Sequence, residues 1–331
     1  MEPGVHERSN IYIDNFNFQY YNHNETANRR FLGAAMAYTF LLASRMMHRA
    51  RRGHQPSKPS TTREWDAMIN SEEWRQRYLN TICNLFVLWY NIILYYIGRI
   101  IFFNTEIVTT LRQNNIKISN VAVDGTFKYL ANHPTDLRQL LTVHIIFNNM
   151  SFPVIYACLT RHTQAVYVCV MRYILSLGLP YSNEELVKVI TDFETGLRNA
   201  ITTVFPEWQQ VGCSFHFNQA VLRHMHQIGL RNVIRVNVTS RNIVRLLLAK
   251  PHLPANGQAY PNVRGFTIVS PERFSVHGLN HWTNNFVESF HASLLRYLGD
   301  HPPLWRFYDL NRSVENTTRL ELSQILNGQQ G

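Results

Sequence analysis

Val121-Ala122-Val123-Asp124-Gly125-Thr126-Phe127-Lys128 opens with a short apolar run that ends in an acid. Two β-rich runs come next, Leu141 to Phe147 and Phe152 to Leu159, separated by the hairpin signal Asn148-Asn149-Met150-Ser151. From Ala165 to Leu177 the period changes. Val166, Cys169, Val170, Tyr173, Ile174 and Leu177 recur at helical spacing, and Pro180 and Asn183 break the run. Leu186 to Ile190 is strand-like again and leads into Thr191-Asp192. A helix is expected from Thr195 to Val204, a fifth strand from Gln210 to Phe215, and a further helix from Phe217 to Ile228. The order β-β-β-α-β-α-β-α predicts the α/β class, a mixed sheet with helices on its faces.

The rest of the chain sets bounds on this core. Its 331 residues are 45% hydrophobic and 16% charged, enough for a sizeable core and unlike a disordered chain. A formal charge of +10 favours a polyanionic partner, nucleic acid first and an acidic membrane surface second. Cys83, Cys158, Cys169 and Cys213 are widely spaced with no CxxC pair, which excludes a disulfide scaffold and suits a reducing compartment. Met1 to Asn24 lacks a basic and then apolar leader, so it does not read as a secretory signal. Leu85 to Phe103 is long enough to span a bilayer, but Asn91 and Arg99 interrupt it. A buried core helix is the expectation there, not a membrane span. Residues 45–63 hold Arg45, Arg49, Arg51, Arg52, Lys58 and Arg63 with no acid, and Pro56 and Pro59 mark a linker, so a boundary is placed near residue 65. The basic run reads as a nuclear-import signal, a phosphate-contacting arm or a plain solvated linker.

Asp124 and Asp192 stand at the carboxyl ends of expected strands, where ligands and metals collect in α/β sheets. Glu288 lies in His281-Trp282-Thr283-Asn284-Asn285-Phe286-Val287-Glu288-Ser289-Phe290-His291, just before a helical stretch. Three carboxylates converging from two strands and a helix would make an all-oxygen site for Mg²⁺ or Mn²⁺. Two such ions about 4 Å apart activate a water or a 3′-hydroxyl and stabilise the leaving oxygen of a phosphodiester. A single Asp is more often a turn or cap residue, and residue types alone do not decide between these readings.

The surrounding words do decide. Asp124 to Lys128, Gln139-Leu140-Leu141-Thr142-Val143-His144, Pro153-Val154-Ile155-Tyr156-Ala157, Thr191-Asp192-Phe193-Glu194, Gly212-Cys213-Ser214-Phe215-His216-Phe217-Asn218-Gln219-Ala220 and Thr283 to His291 resemble, in order, the core of the MULE (Mutator-like element) transposase domain. His301 to Phe307 is similar to the segment that comes after the last catalytic motif in that family. The resemblance runs from about residue 100 to 330. It implies a ribonuclease-H-like mixed sheet flanked by helices, with Asp124, Asp192 and Glu288 as an Asp-Asp-Glu triad. The triad would bind two divalent ions, Mg²⁺ or Mn²⁺, cut transposon ends and join the freed 3′-hydroxyl to target DNA. DNA is then the partner, no small-molecule substrate is expected, the location is nuclear, and a homo-oligomer is compatible with the reading. The rival reading is a catalytically silent DNA-binding descendant.

Cys213 and His216 form the Cys-x-x-His pair common in eukaryotic transposases of this type. The pair either binds zinc with later ligands or braces the helix that begins there, since two ligands do not complete a zinc site. Between Glu207 and Glu272 there is no acid, while Arg223, Arg231, Arg235, Arg241, Arg245, Lys250 and Arg264 are all basic. This stretch predicts phosphate contacts, with affinity that depends on salt and little on sequence. The resulting organisation is an N-terminal region over 1–65 and a helical lead-in over 66–119. A core over 120–300 carries a short helical insertion at about 230–280, and a helical tail covers 301–331. The family's Arg before Thr-Asn-Asn is Trp282 here. Gly53-His54-Gln55-Pro56 resembles the end of a FLYWCH-type finger, yet no cysteine precedes Cys83, so any such finger has lost its metal.

Overall fold

Asn148 and Asn149 close the first hairpin, and both have positive φ, 50° and 59°. A two-residue turn whose twist matches the flanking strands demands that backbone, and Asn tolerates it. The computed structural model describes residues 57–72, 99–103, 105–255, 271–279 and 283–326. The hairpin joins β3 (Gln139–Phe147) to β4 (Met150–Leu159), so Met150 and Ser151 already belong to a strand.

β2 (Asn120–Thr126) pairs antiparallel with β3 on its other side. β5 (Lys188–Thr191) then joins β2 in parallel, and β6 (Gln209–Gly212) joins β5 in parallel. β1 (Arg99–Phe103) pairs antiparallel with β4, giving a six-stranded sheet in the order β1-β4-β3-β2-β5-β6. The expected class, α/β with a mixed sheet, is what the chain adopts.

β1 departs from expectation. Residues 99–103 were expected to end a buried helix, and they form a strand. Their burial is complete on both sides: Ile101 and Phe103 enter one core, Ile100 and Phe102 the other. A strand buried on both faces shows no period-2 alternation, so it cannot be told from a buried helix by pattern. The remainder of the run, Leu85 to Gly98, lies outside the described residues, as do residues 1–56, Arg264 and Trp282. The expected fifth strand also ends early. Cys213 donates its N–H to Thr191 O as the last bond of the ladder, and its own carbonyl accepts from Phe217 N, so Phe215 is helical.

Helices cover both faces. On one, Val121, Val123, Val143 and Ile145 pack against α2 (Thr105–Gln113), α3 (Gln164–Ser176) and α4 (Thr195–Val204) through residues such as Leu111, Val170 and Ile201. On the other, Phe102, Leu140 and Tyr156 pack against Trp65 of α1 (Thr62–Asn70) and against α10 (Leu304–Leu326), and Ala122, Ile190 and Val211 meet Val287 of α9 (Asn285–Leu298). Each buried Val, Leu, Ile or Phe among them contributes about 1.5–3 kcal/mol. The boundary expected near residue 65 falls inside α1, whose Thr62 is anchored to Asp136 through both N and Oγ1.

The elements described between β6 and α9 are helical: α5 (Ser214–Gln227), α6 (Arg231–Val236), α7 (Val238–Ala249), a 3₁₀ turn (Lys250–His252) and the short α8 (Pro271–Phe274). α6 buries no residue and α7 buries only Val244. Among the described residues no helix is long and apolar enough to cross a membrane.

Candidate active site

The register of the sheet places the acids. β2 and β5 pair Ala122 with Ile190, so two residues further on Asp124 stands level with Asp192. β5 and β6 pair Ile190 with Val211, which brings Asp192 level with Cys213. On the other side Asp124 pairs with Thr142 of β3. Two-residue steps keep a side chain on one face, and Ala122, Ile190 and Val211 all meet α9. Thr142, Asp124, Asp192 and Cys213 therefore form one row beneath α9, with neighbouring strands about 4.8 Å apart.

α9 is pinned across this row. Asn284, Glu288 and His291 succeed one another at spacings of four and three, which puts them on one side of the helix. Asn284 donates its N–H to Cys213 Sγ at 3.2 Å and its amide to Val123 O at 3.4 Å. Glu288 Oε1 lies 3.7 Å from His216 Nε2. His291 sits 3.3 Å from Asp124 Oδ2 through Nδ1 and 2.9 Å from Thr142 Oγ1 through Nε2.

Burial raises the Asp192 carboxyl above the usual carboxylate range. The Glu194 N–H, 3.0 Å from Oδ1, opposes this; the Asp124 charge adds to it, and His216 and Arg198 offset it. Burial raises Glu288 as well, with His216 opposing and Asp124 adding. Asp124 thus acts on both other acids, and the structure brings Asp124, Asp192 and Glu288 to one site. His216 is raised to about 9, first by its hydrogen bond with Cys213, against burial, and then by the charges of Cys213, Asp124 and Glu288. It is a cation among the acids at neutral pH.

Carboxylates from three separate elements share this site, and two of them are raised by burial and by the charge of a neighbouring carboxylate. Glu288 Oε1 is buried and makes no hydrogen bond. Cys213 and His216 lie beside this set. One ligand atom from each of Cys213, His216 and Glu288 can be chosen so that all lie within 4.8 Å of one another.

Several contributors do not stand out in the sequence. Thr142 and His291 hold Asp124, and Asn284 fixes the start of α9. The Asp192 loop is held through Glu194, whose carboxylate lies 2.8 Å from the Tyr167 hydroxyl, itself 2.6 Å from Gln139 Oε1. Gly125 lets Gln139 approach, since a Cβ there would lie 2.0 Å from Gln139 Nε2. Gln139, Thr142, Glu194, Asn284 and His291 all stand inside the segments that resemble the MULE domain, but no local pattern gives them these roles.

The basic residues lie on the helical segment after β6. Arg223 on α5, Arg231 and Arg235 on α6 and Arg245 on α7 are exposed, and Lys250 in the 3₁₀ turn is half-buried. Arg241 is half-buried and donates to the carbonyls of Arg235 (2.6 Å) and Ile234 (3.4 Å), so it fastens α7 to α6 instead of projecting freely.

No curated protein matches the chain. The family comparison covers β2 through the first two turns of α5. It includes Asp124, Asp192, Cys213 and His216 and stops short of Glu288: residues 120–220 match the family model of the MULE transposase domain.

Proposed function

We propose that this chain is a transposon-derived, MULE-type transposase with a ribonuclease-H-like core, which cleaves and joins DNA strands with Asp124, Asp192 and Glu288. The observation that carries the reading is the row on the sheet: Asp124 and Asp192 level on adjacent parallel strands, with Glu288 above them on α9. Counted from β2, Asp124 lies on the first strand and Asp192 comes directly after the fourth. The domain match supports DNA as the substrate, and DNA in turn supports a nuclear location.

The three carboxylates would hold Mg²⁺ or Mn²⁺. Bound there, such ions activate a water or 3′-hydroxyl and stabilise the leaving oxygen of a phosphodiester. The chain's own residues hold this arrangement rigid. Thr142 and His291 orient Asp124. The Glu194 N–H and the Arg198 charge steady Asp192, and Cys213 anchors the start of α9 and with it Glu288. Little covalent chemistry is asked of the protein, and positioning dominates. The exposed arginines of α5 to α7 supply phosphate contacts beside the site.

The test is Mg²⁺- or Mn²⁺-dependent nicking of labelled DNA by the wild type and by Asp192→Asn. Nicking by the wild type and none by a folded Asp192→Asn is expected. DNA binding without metal-dependent nicking by the wild type would point to the silent descendant instead.

A further inference from the structure

We propose that Cys213, His216 and Glu288 form a second metal site, for a thiophilic divalent ion of the zinc class, which shares Glu288 with the all-oxygen cluster. It rests on the proposed function only for the consequence of that sharing.

The three donors come from two sources. Cys213 and His216 flank the first turn of α5, three residues apart, so thiol and imidazole face the same side. Glu288 comes down from α9. The mutual spacing of up to 4.8 Å closes by about an ångström to reach the roughly 3.5 Å donor separation of a tetrahedral ion with 2.0–2.3 Å bonds. Glu288 Oε1 is buried with no hydrogen bond and aims at His216. Cys213 Sγ already accepts the Asn284 N–H, an outer hydrogen bond of the kind that orients a metal-bound sulfur.

A sulfur, a nitrogen and one carboxylate select zinc-class ions over Mg²⁺, which prefers oxygen alone. Three protein donors leave the fourth position to water. Binding converts the Cys213 S–H to a metal-bound thiolate and the His216 imidazolium to a neutral imidazole ligand, and releases both protons to solvent, so no redox partner is involved. A carboxylate bridges two ions through its two oxygens, so a zinc-class ion on Cys213, His216 and Glu288 Oε1 is coupled to the all-oxygen cluster through this one side chain without emptying it.

The experiment is titration of the intact chain with Co²⁺, read by the near-ultraviolet charge-transfer band of a cobalt-bound thiolate. One equivalent should saturate the band, Zn²⁺ should abolish it, and excess Mg²⁺ should leave it. Asp192→Asn should keep the band. Cys213→Ser should lose it, and Glu288→Gln and His216→Asn should each weaken Co²⁺ binding about tenfold or more, the loss expected for a ligand or its close support. Circular dichroism checks each fold. Because Cys213 is buried, Glu288→Gln and His216→Asn keep the test decisive if Cys213→Ser does not fold. A folded wild type with no band, or a Glu288→Gln chain that binds Co²⁺ as the wild type does, overturns the site. The band persisting in a chain that nicks no DNA would refute the transposase activity and leave this site standing. Nicking without the band would do the reverse.

Discussion

Asp192 and His216 carry opposite signs of the same tension. Asp192 is an acid raised by burial and by Asp124, so its ionised form weakens the fold at neutral pH. Replacing it with Asn should raise stability in chelator by on the order of 0.5–2 kcal/mol, the usual gain when a strained functional charge is removed. Urea unfolding would measure this, and added Mn²⁺ should narrow the difference by stabilising only the wild type. His216 is a base raised from 6.5 to about 9. Its contribution is fully present below the unfolded value of 6.5 and is lost as pH rises through about 9. The urea midpoint of the wild type should therefore fall between pH 7 and 10 more than that of His216→Asn; parallel curves would show that His216 does not carry this charge.

At the scale of elements, β1 and the β6 end test the packing. Phe102 is buried against Trp65 and Tyr308, with ring centroids 5.8 and 5.7 Å away, and so ties α1 and α10 to the sheet. Phe102→Ala should cost about 3–5 kcal/mol in unfolding free energy. Gly212 has no room for a side chain: a Cβ would lie 2.5 Å from Phe193 Cζ and 3.2 Å from Arg273 O. Gly212→Ala should cost about 1–3 kcal/mol and, by displacing Phe193, disturb the neighbouring Asp192; a stability equal to wild type would show that the ring yields freely. Most elements from residue 120 onward are legible, α3 by its 3.6 period and β3 and β4, themselves buried on both faces, by the β-rich runs on either side of the Asn148-Asn149 turn. β1 is not, since burial on both faces erases alternation. Asp124 and Asp192 are legible as strand-end residues and Glu288 as the start of a helix, but their common row is not. It depends on the offset between β2 and β5, which is fixed by packing and carried by no local pattern. The roles of His291 and Asn284 follow only from the path of α9 across that row.

For the whole molecule, the +10 charge matters through its distribution. Arg231, Arg235 and Arg245 lie exposed on α6 and α7, whereas Arg241 joins those helices. Replacing the exposed three with Ala should weaken duplex DNA binding across all sequences. It should also flatten the log–log salt dependence by about 0.9 for each phosphate that is no longer neutralised; an unchanged affinity and slope would return these residues to a solvated face. The central claim is narrower: that Asp124, Asp192 and Glu288 act as one cation site. Calorimetric titration of Mn²⁺ into the wild type and into Asp124→Asn, Asp192→Asn and Glu288→Gln tests it most directly. The wild type should bind, and each single substitution should weaken binding about tenfold or more. A variant that binds Mn²⁺ as the wild type does would remove its residue from the site and contradict the account.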